Sequence, residues 1–567
     1  MNILGIHIGH DSSAALLKAG HLVADVAEER FIRLKHYSGI PFHSVGYCLK
    51  AGSLSMDDID VIAVSSSGAV PQLNFLFEME GGDRERKSLR AQAADVYRKY
   101  FGGTHIKPPL YVTKYPLRRK TKIIHVDHHL AHAASAYYTS GLARTERSLI
   151  ATCDGAGDGL SFCLWRGENG KIIPLKKFGT NGSIGWFYSN VTESLGWIHG
   201  DGEGKTMGLA PYGDCSKCEG VLDKFYPKFD GGNLIEPYDF GQGYYWNEAG
   251  SMEFHFDDAY KLQKLVEKYG SENIAAEAQR VLEEQVMAVV FPWMEKEKTK
   301  ALCASGGVFL NVKLNQRIWY TGKVDRQWTY PNCGDSGLAV GSALQAHYEN
   351  NPNDDIRMKR HLYWGPEYSN EEIAGILTDR SLVGKYVDNI EEEAARLLAM
   401  NKIVAWFQGR MESGPRALGN RSILMSTANA QNKDVINARV KYREGFRPFC
   451  PSMTAEAAPE YLVNYRQEPF MITSFDTVAD KRLRIPAVVH ADGTARPQTV
   501  RKEVNSRYWT LLEEFGKLTG DPVLLNTSLN IKGEPMICTP REALRCFYDS
   551  GIDALVLNNY VLTKKGA

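Results

Sequence analysis

The run Lys122-Ile123-Ile124-His125-Val126-Asp127-His128-His129-Leu130-Ala131-His132-Ala133 constrains this chain more than any other. Its first five residues are apolar enough for a buried strand, and the alanine- and leucine-rich continuation favours helix. A strand passing directly into a helix is the building unit of α/β folds. On that helix His128 and His132 stand four residues apart, so both imidazoles leave one face and can reach one metal ion. Taken alone, such a pair is equally well explained by capping at a helix end. Two aspartates among glycines favour the metal. Asp154, in Cys153-Asp154-Gly155-Ala156-Gly157-Asp158-Gly159, follows the strand-like 148–152. Asp335, in Asn332-Cys333-Gly334-Asp335-Ser336-Gly337, follows Trp328-Thr329-Tyr330. Open α/β sheets place ligands where strands end. Two imidazoles and two carboxylates suit divalent iron, manganese or zinc with positions left for substrate oxygen.

The N-terminus reads as strand, tight turn and strand, the turn carrying Gly9-His10-Asp11-Ser12-Ser13, with a third strand over 21–27. The hairpin-like segment 154–161 and the glycine pair Gly306-Gly307 ahead of Asn311 add two more backbone-exposing turns. Three such turns in this order resemble the phosphate and adenosine turns of the actin-like, sugar-kinase and Hsp70 superfamily, which implies an actin-like nucleotide domain over residues 1–350.

At 567 residues the chain accommodates two or three domains. Lys+Arg and Asp+Glu both number 67, so no global field recruits nucleic acid or an anionic membrane. No apolar run is long enough to cross a bilayer, and no basic region with an apolar signal core opens the chain. Ten scattered cysteines fit a reducing compartment, and the expected location is the cytoplasm. Cys215-Ser216-Lys217-Cys218 reads as a surface loop, since a zinc site would need a second pair.

Residues 187–195 read as a helix. The segment 197–213 is too glycine-dense for a stable helix and does not satisfy a Walker loop. Residues 214–270 read as an irregular insertion and 272–295 as helix, with no internal repeat anywhere. The charged stretch within 351–362 reads as a linker. Beyond it Ser369 and Glu372 form a capping box, followed by helices near 370–378 and 391–400 and a strand over 403–407.

The second half concentrates cations among glycine, proline and apolar residues. Arg410, Arg416 and Arg421 lie in 409–422, and Lys441, Arg443 and Arg447 follow, with Arg496 and the turn Asn526-Thr527-Ser528-Leu529-Asn530. Guanidinium forks beside glycine backbone suit bidentate binding of phosphate or acyl-phosphate oxygens, whereas a solvated basic surface places its cations on exposed helices.

Five segments together carry a family resemblance: 10–15, 127–132, 202–212, 414–422 and 526–530. They resemble the O-carbamoyltransferases over nearly the whole chain, although Leu529 stands where many members carry phenylalanine. The resemblance implies an actin-like domain over 1–350 and, over 363–567, an α/β YrdC-like domain. The YrdC-like half would form carbamoyl adenylate from carbamoyl phosphate and ATP, accompanied by Mg, at Arg416, Lys441, Arg447, Arg496, Ser528 and Asn530. Gly307, Asn311 and Lys35 would hold the adenylate in the first half. His128, His132, Asp154 and Asp335 would ligate the metal, iron(II) in similar enzymes, and His10 would be the catalytic base. The implied partner is a small-molecule hydroxyl acceptor, such as a sugar or natural product, with a homodimer as an open alternative to the monomer. The loops at 66–120 and 214–260 resemble nothing assignable. Two other readings remain open: a tRNA threonylcarbamoyl transferase, which the neutral charge balance disfavours, and a non-catalytic nucleotide-binding regulator, which would not need His10, the metal set and the arginines together.

Overall fold

The computed structural model describes residues 1–66, 72–79, 115–117, 120–246, 252–354 and 361–564. Most of the 66–120 loop and positions 355–360 of the expected linker therefore lie outside the described residues. In the first half two five-stranded sheets repeat one plan. The first runs His21–Ala27, Ser13–Lys18, Asn2–His7, Val61–Ser65 and Lys122–Val126. The second runs Lys171–Gly179, Leu160–Glu168, Ser148–Gly157, Ala301–Ser305 and Arg326–Thr329. In each, the first three strands pair antiparallel and the last two add in parallel. This duplicated order is the actin-like arrangement. It is a repeat of topology without a repeat of sequence, because hairpins and crossovers specify strand order through burial patterns rather than through particular residues.

Lys122–Val126 is an edge strand with Lys122, Ile123 and His125 exposed, not the buried strand its composition suggests. An edge has one covered face, so apolar residues there alternate with solvent-facing ones. The chain then enters the helix His128–Thr139, capped by Asp127, whose carboxylate accepts the Leu130 N–H at 3.1 Å. This helix packs against Leu338–Asn350 so closely that a Cβ at Gly341 would lie 1.9 Å from the Ala131 carbonyl oxygen. That contact carries the Asp335 turn to the histidine helix.

The segment 197–213 contains a helix after all, Glu203–Leu209, with a further helical turn at Ala210–Tyr212. Each interior glycine costs about 1 kcal/mol of helix propensity. Tertiary contacts offset it: Glu203 accepts from the Ser189 hydroxyl and the Gly200 N–H, Thr206 hydrogen-bonds Thr192, and Leu209 and Ala210 pack on Ala275. The 214–270 insertion is likewise more ordered than its composition suggests. It forms two small hairpins, Lys228–Asp230 with Asn233–Glu236 and Gln242–Trp246 with Met252–Phe256, and the helix Ala259–Tyr269. Cys218 is buried beneath it, its thiol donating to the Asn273 carbonyl, so only Cys215 fits a surface position. The long helix Ser271–Glu297 follows.

The second half is built on an eight-stranded mixed sheet in the order Lys385–Tyr386, Tyr560–Thr563, Ala554–Leu557, Val404–Phe407, Arg421–Ser426, Val523–Ser528, Cys450–Thr454, Gln498–Val500. Ile390–Ala399 and Ser506–Thr519 cover one face and Pro540–Tyr548 packs on the other. The Ser369–Glu372 capping box starts the helix Asn370–Asp379. No helix among the described residues is long and apolar enough to cross a membrane.

Gly341→Val forces side-chain volume into the backbone contact between the two site-bearing helices. Overpacking of this kind costs about 1–3 kcal/mol, and the expected result is a lower midpoint for the first thermal unfolding transition by scanning calorimetry. An unchanged midpoint would show that the helices part freely.

Candidate active site

Two clusters converge at the junction of the halves. In the first, His128, His132, Asp154 and Asp335 bring one donor atom each to within 4.8 Å of one another. His132 Nε2 lies 3.1 Å from Asp154 and 3.6 Å from Asp335, and His128 Nε2 lies 3.8 Å from each carboxylate. Both Nε2 atoms are buried and make no hydrogen bond. The surroundings hold the rings in place. The His128 N–H donates to Asp158, the His132 Nδ1 meets the Ser305 hydroxyl at 3.2 Å, and the His128 ring fills the space a Cβ at Gly157 would need. Asp154 accepts the N–H groups of Gly155 and Gly307. Burial disfavours charge on Asp154 and Asp335, yet the facing imidazoles outweigh it and hold both carboxyls below their usual range. Burial works against a proton on His132, and the two carboxylates still push it up to about 9. Neighbouring His129 is driven down to about 3 by burial and the adjacent imidazoles, and stays neutral. Two inward imidazole nitrogens without partners, opposite two ionised carboxylates, fit a divalent transition metal.

Beside this set, His7 Nε2 lies 3.9 Å from Asp335 and donates to the His10 carbonyl at 2.9 Å. His10 is half exposed, its Nδ1 3.2 Å from Asp11. Lys35 pairs with Asp201, which also meets His36. Asn311 caps the helix Val312–Tyr320 and exchanges amide hydrogen bonds with Gln279, so its side chain is engaged within the fold while Gly307 faces Asp154 directly.

The second cluster is cationic. Lys441 is buried and donates to the carbonyls of Ser528 and Asn530 and to Asn530 Oδ1 at 2.5, 3.0 and 2.6 Å. Burial and then Arg443 push its ammonium well below the usual range. Burial and then Arg496 lower Arg416 to about 9, and burial and then Arg447 do the same to Arg443. Arg447 is lowered chiefly by burial. Arg496 donates to Cys450 and lines a cavity of about 140 Å³ with Phe446, Phe449, Val489, Val312 and Lys313. Arg443 was named among the cations but not assigned to the site by sequence reasoning. Its Nε donates to Asn437, its Nη2 is buried without a partner, and the Lys441-x-Arg443 spacing was the available signal.

One loop joins the clusters. Glu412, buried, accepts the backbone N–H groups of Leu418, Asn420 and Arg421 at 2.7, 2.7 and 3.1 Å, which sets the curve carrying Arg416. Next to it the Ser413 hydroxyl donates to Asp25 and receives the Asn332 amide, and Arg30 donates to the Gly414 carbonyl. Asp154 and Arg416 both act on the buried Cys333 thiol, so the acidic and the basic set approach the same residue.

Comparison with known proteins follows the same division. The family description "Carbamoyltransferase N-terminus" matches residues 2–344 and "Carbamoyltransferase C-terminus" matches 395–564. The chain is 34% identical to nodulation protein NolNO of Sinorhizobium fredii, covering 98% of this chain and 79% of that protein. It is 28% identical to nodulation protein U of Rhizobium tropici over 100% of this chain and 96% of that one. Among solved structures, (R)-2-hydroxyglutaryl-CoA dehydratase component A of Acidaminococcus fermentans aligns with 62% of this chain and 99% of its own at 13% identity and a TM-score of 0.35.

Asp25 gives the junction a pH signature. Burial pushes its carboxyl up to about 7, against partial relief from Ser413 and Asn332. Its folded value exceeds the unfolded value of about 3.9, so the folded state holds the extra proton and stability declines as pH rises through about 4 to 7. Asp25→Asn removes that dependence. Calorimetric midpoints at pH 5 and 8 are expected to differ less in the variant than in the wild type, and equal differences would show that Asp25 is not protonated in the fold.

Proposed function

Because the chain belongs to the carbamoyltransferase family, we propose that it is an ATP-dependent O-carbamoyltransferase acting in two steps on a small hydroxyl compound. The observation that carries this reading is the crowding of Arg416, Lys441, Arg443 and Arg447 with Arg496. Burial first, and then the neighbouring cations, lower the proton affinity of the first four, and Glu444 beside Arg447 is the near carboxylate. Such a cluster is stabilised by a multiply charged anion, and phosphoryl and adenylyl chemistry depends chiefly on charge neutralisation and alignment.

In the first step carbamoyl phosphate, ATP and water give carbamoyl adenylate, pyrophosphate and inorganic phosphate. The arginines hold the phosphate oxygens, and the Lys441–Ser528–Asn530 set fixes the ammonium by its carbonyl contacts. We read this half as YrdC-like. In the second step the acceptor hydroxyl attacks the carbamoyl carbon, the bond to the adenylate oxygen breaks, and AMP leaves. His10 takes the hydroxyl proton, and its half-exposed ring returns that proton to solvent. His128, His132, Asp154 and Asp335 would hold a divalent metal, iron(II) with manganese or zinc as alternatives, whose Lewis acidity polarises a carbonyl and neutralises phosphate charge when bound. Gly307 supports this set by donating its N–H to Asp154.

Arg447→Ala is expected to stop pyrophosphate release from ATP and carbamoyl phosphate while leaving transfer from supplied carbamoyl adenylate largely intact. Equal loss of both in a folded variant contradicts the two-step reading. The double variant His128→Ala/His132→Ala leaves two carboxylates, which hold transition metals poorly. Elemental analysis is expected to find the metal lost, with pyrophosphate release retained; full occupancy would remove the metal assignment.

A further inference from the structure

Five side chains beside the metal set form a continuous chain of alternating charge. Asp11 offers one carboxylate oxygen to His10 Nδ1 at 3.2 Å and the other to His36 Nδ1 at 2.9 Å. His36 Nε2 meets Asp201 at 3.3 Å, and Asp201 also pairs with Lys35. The rings of His10 and His36 lie nearly parallel, 12° apart in plane, with centroids separated by 5.4 Å. Asp11 adopts a left-handed backbone, φ 57°, which turns its carboxylate back between the two rings. His36 Nδ1 makes a hydrogen bond to Asp11, and His10 Nδ1 lies at ion-pair distance from the same carboxylate.

We propose that Asp11 and His36 are positioning residues for His10: Asp11 fixes the ring through Nδ1 and leaves Nε2 for the acceptor, while His36, held by Asp201, shares the same carboxylate from its other oxygen. The inference rests on the reading of His10 as the base. An imidazole whose Nδ1–H donates to a carboxylate keeps its lone pair on Nε2, the tautomer a base requires. Here Nε2 points toward Gly200, where a Cβ would lie 3.6 Å away.

Two opposing influences act on His10. The Asp11 hydrogen bond raises its proton affinity, partly offset by burial. His36 acts the other way. Burial disfavours its charge, yet Asp11 and Asp201 raise it to about 10, so it is an imidazolium at neutral pH and repels a second proton on its stacked neighbour. The other charged groups facing His10 are Asp335 on the adjacent turn and, beyond His36, Lys35 and Asp201, while neutral His7 holds the His10 carbonyl from behind. Without His36, the proton affinity that Asp11 confers on His10 would rise further. Without Asp11, His10 would lose its orientation and protonate only at lower pH.

The two substitutions therefore shift His10 in opposite directions, which a general loss of structure would not do. The test is a pH titration of the histidine ring signals by nuclear magnetic resonance in uniformly ¹⁵N- and ¹³C-histidine-labelled full-length protein, with the His10 signal identified by its loss in His10→Asn. Asp11→Asn is expected to lower the His10 midpoint by about one unit or more. His36→Gln is expected to raise it. In parallel, carbamoyl transfer to glycerol as a generic hydroxyl probe should fall about 10- to 100-fold in Asp11→Asn, part of the 10²–10⁴ a positioned base contributes. An unmoved midpoint in Asp11→Asn, or shifts of the same sign in both variants, overturns the proposal even where His10→Asn is inactive. Transfer to glycerol undiminished in His10→Asn overturns the base assignment itself, and the proposal with it.

Discussion

The grip of Glu412 on the backbone of its own loop is the contact on which the arrangement of both clusters depends. One buried carboxylate oxygen gathers three N–H groups, so 412–421 closes into a rigid curve rather than a mobile glycine loop. That curve lays Ser413 on Asp25 and Asn332, and carries Arg416 toward the turn that bears Asp335. Without it the acidic set of one half and the basic set of the other would have no reason to share a junction.

The two sets differ in how far the chain itself compensates them. Imidazoles hold two buried carboxylates ionised on one side, whereas buried guanidiniums repel one another on the other. Buried like charges are costly unless a counter-charge enters. The basic set receives little opposite charge from within the chain, and both sets come close enough to the buried Cys333 to act on its thiol. On the proposed function, the first set is read as a cation site, where imidazole nitrogens face carboxylates, and the second as a site for a phosphorylated anion, where arginines crowd together.

The members of the acidic cluster were largely legible because local rules fix them. Four-residue spacing put His128 and His132 on one face, and Asp335 follows a strand. Asp154, expected just past a strand end, lies instead inside Ser148–Gly157, where pairing with Leu160–Glu168 breaks register after Cys153. The Lys441 and Ser528–Asn530 contact joins segments that sequence shows only as two separate polar turns, and the family resemblance supplied the link. What stayed illegible was decided by packing. The helix Glu203–Leu209 survives its glycines through Thr192, Ser189 and Ala275, partners distant in sequence. The duplicated sheets leave no repeat in the residues, since burial alternation specifies them. The pairing of His36 with Asp11 spans 25 positions and cannot be read from either motif alone.

The central claim is that the two halves perform consecutive steps of one reaction through a carbamoyl adenylate. Rapid chemical quench of the full-length protein with α-³²P-labelled ATP and ¹⁴C-labelled carbamoyl phosphate, in the absence of any acceptor, tests it most directly. The account predicts a doubly labelled carbamoyl adenylate that accumulates on the protein up to one equivalent per chain and decays to AMP when a hydroxyl compound is added. Carbamoylated product formed with no doubly labelled species at any time, and with ATP unconsumed, would contradict it.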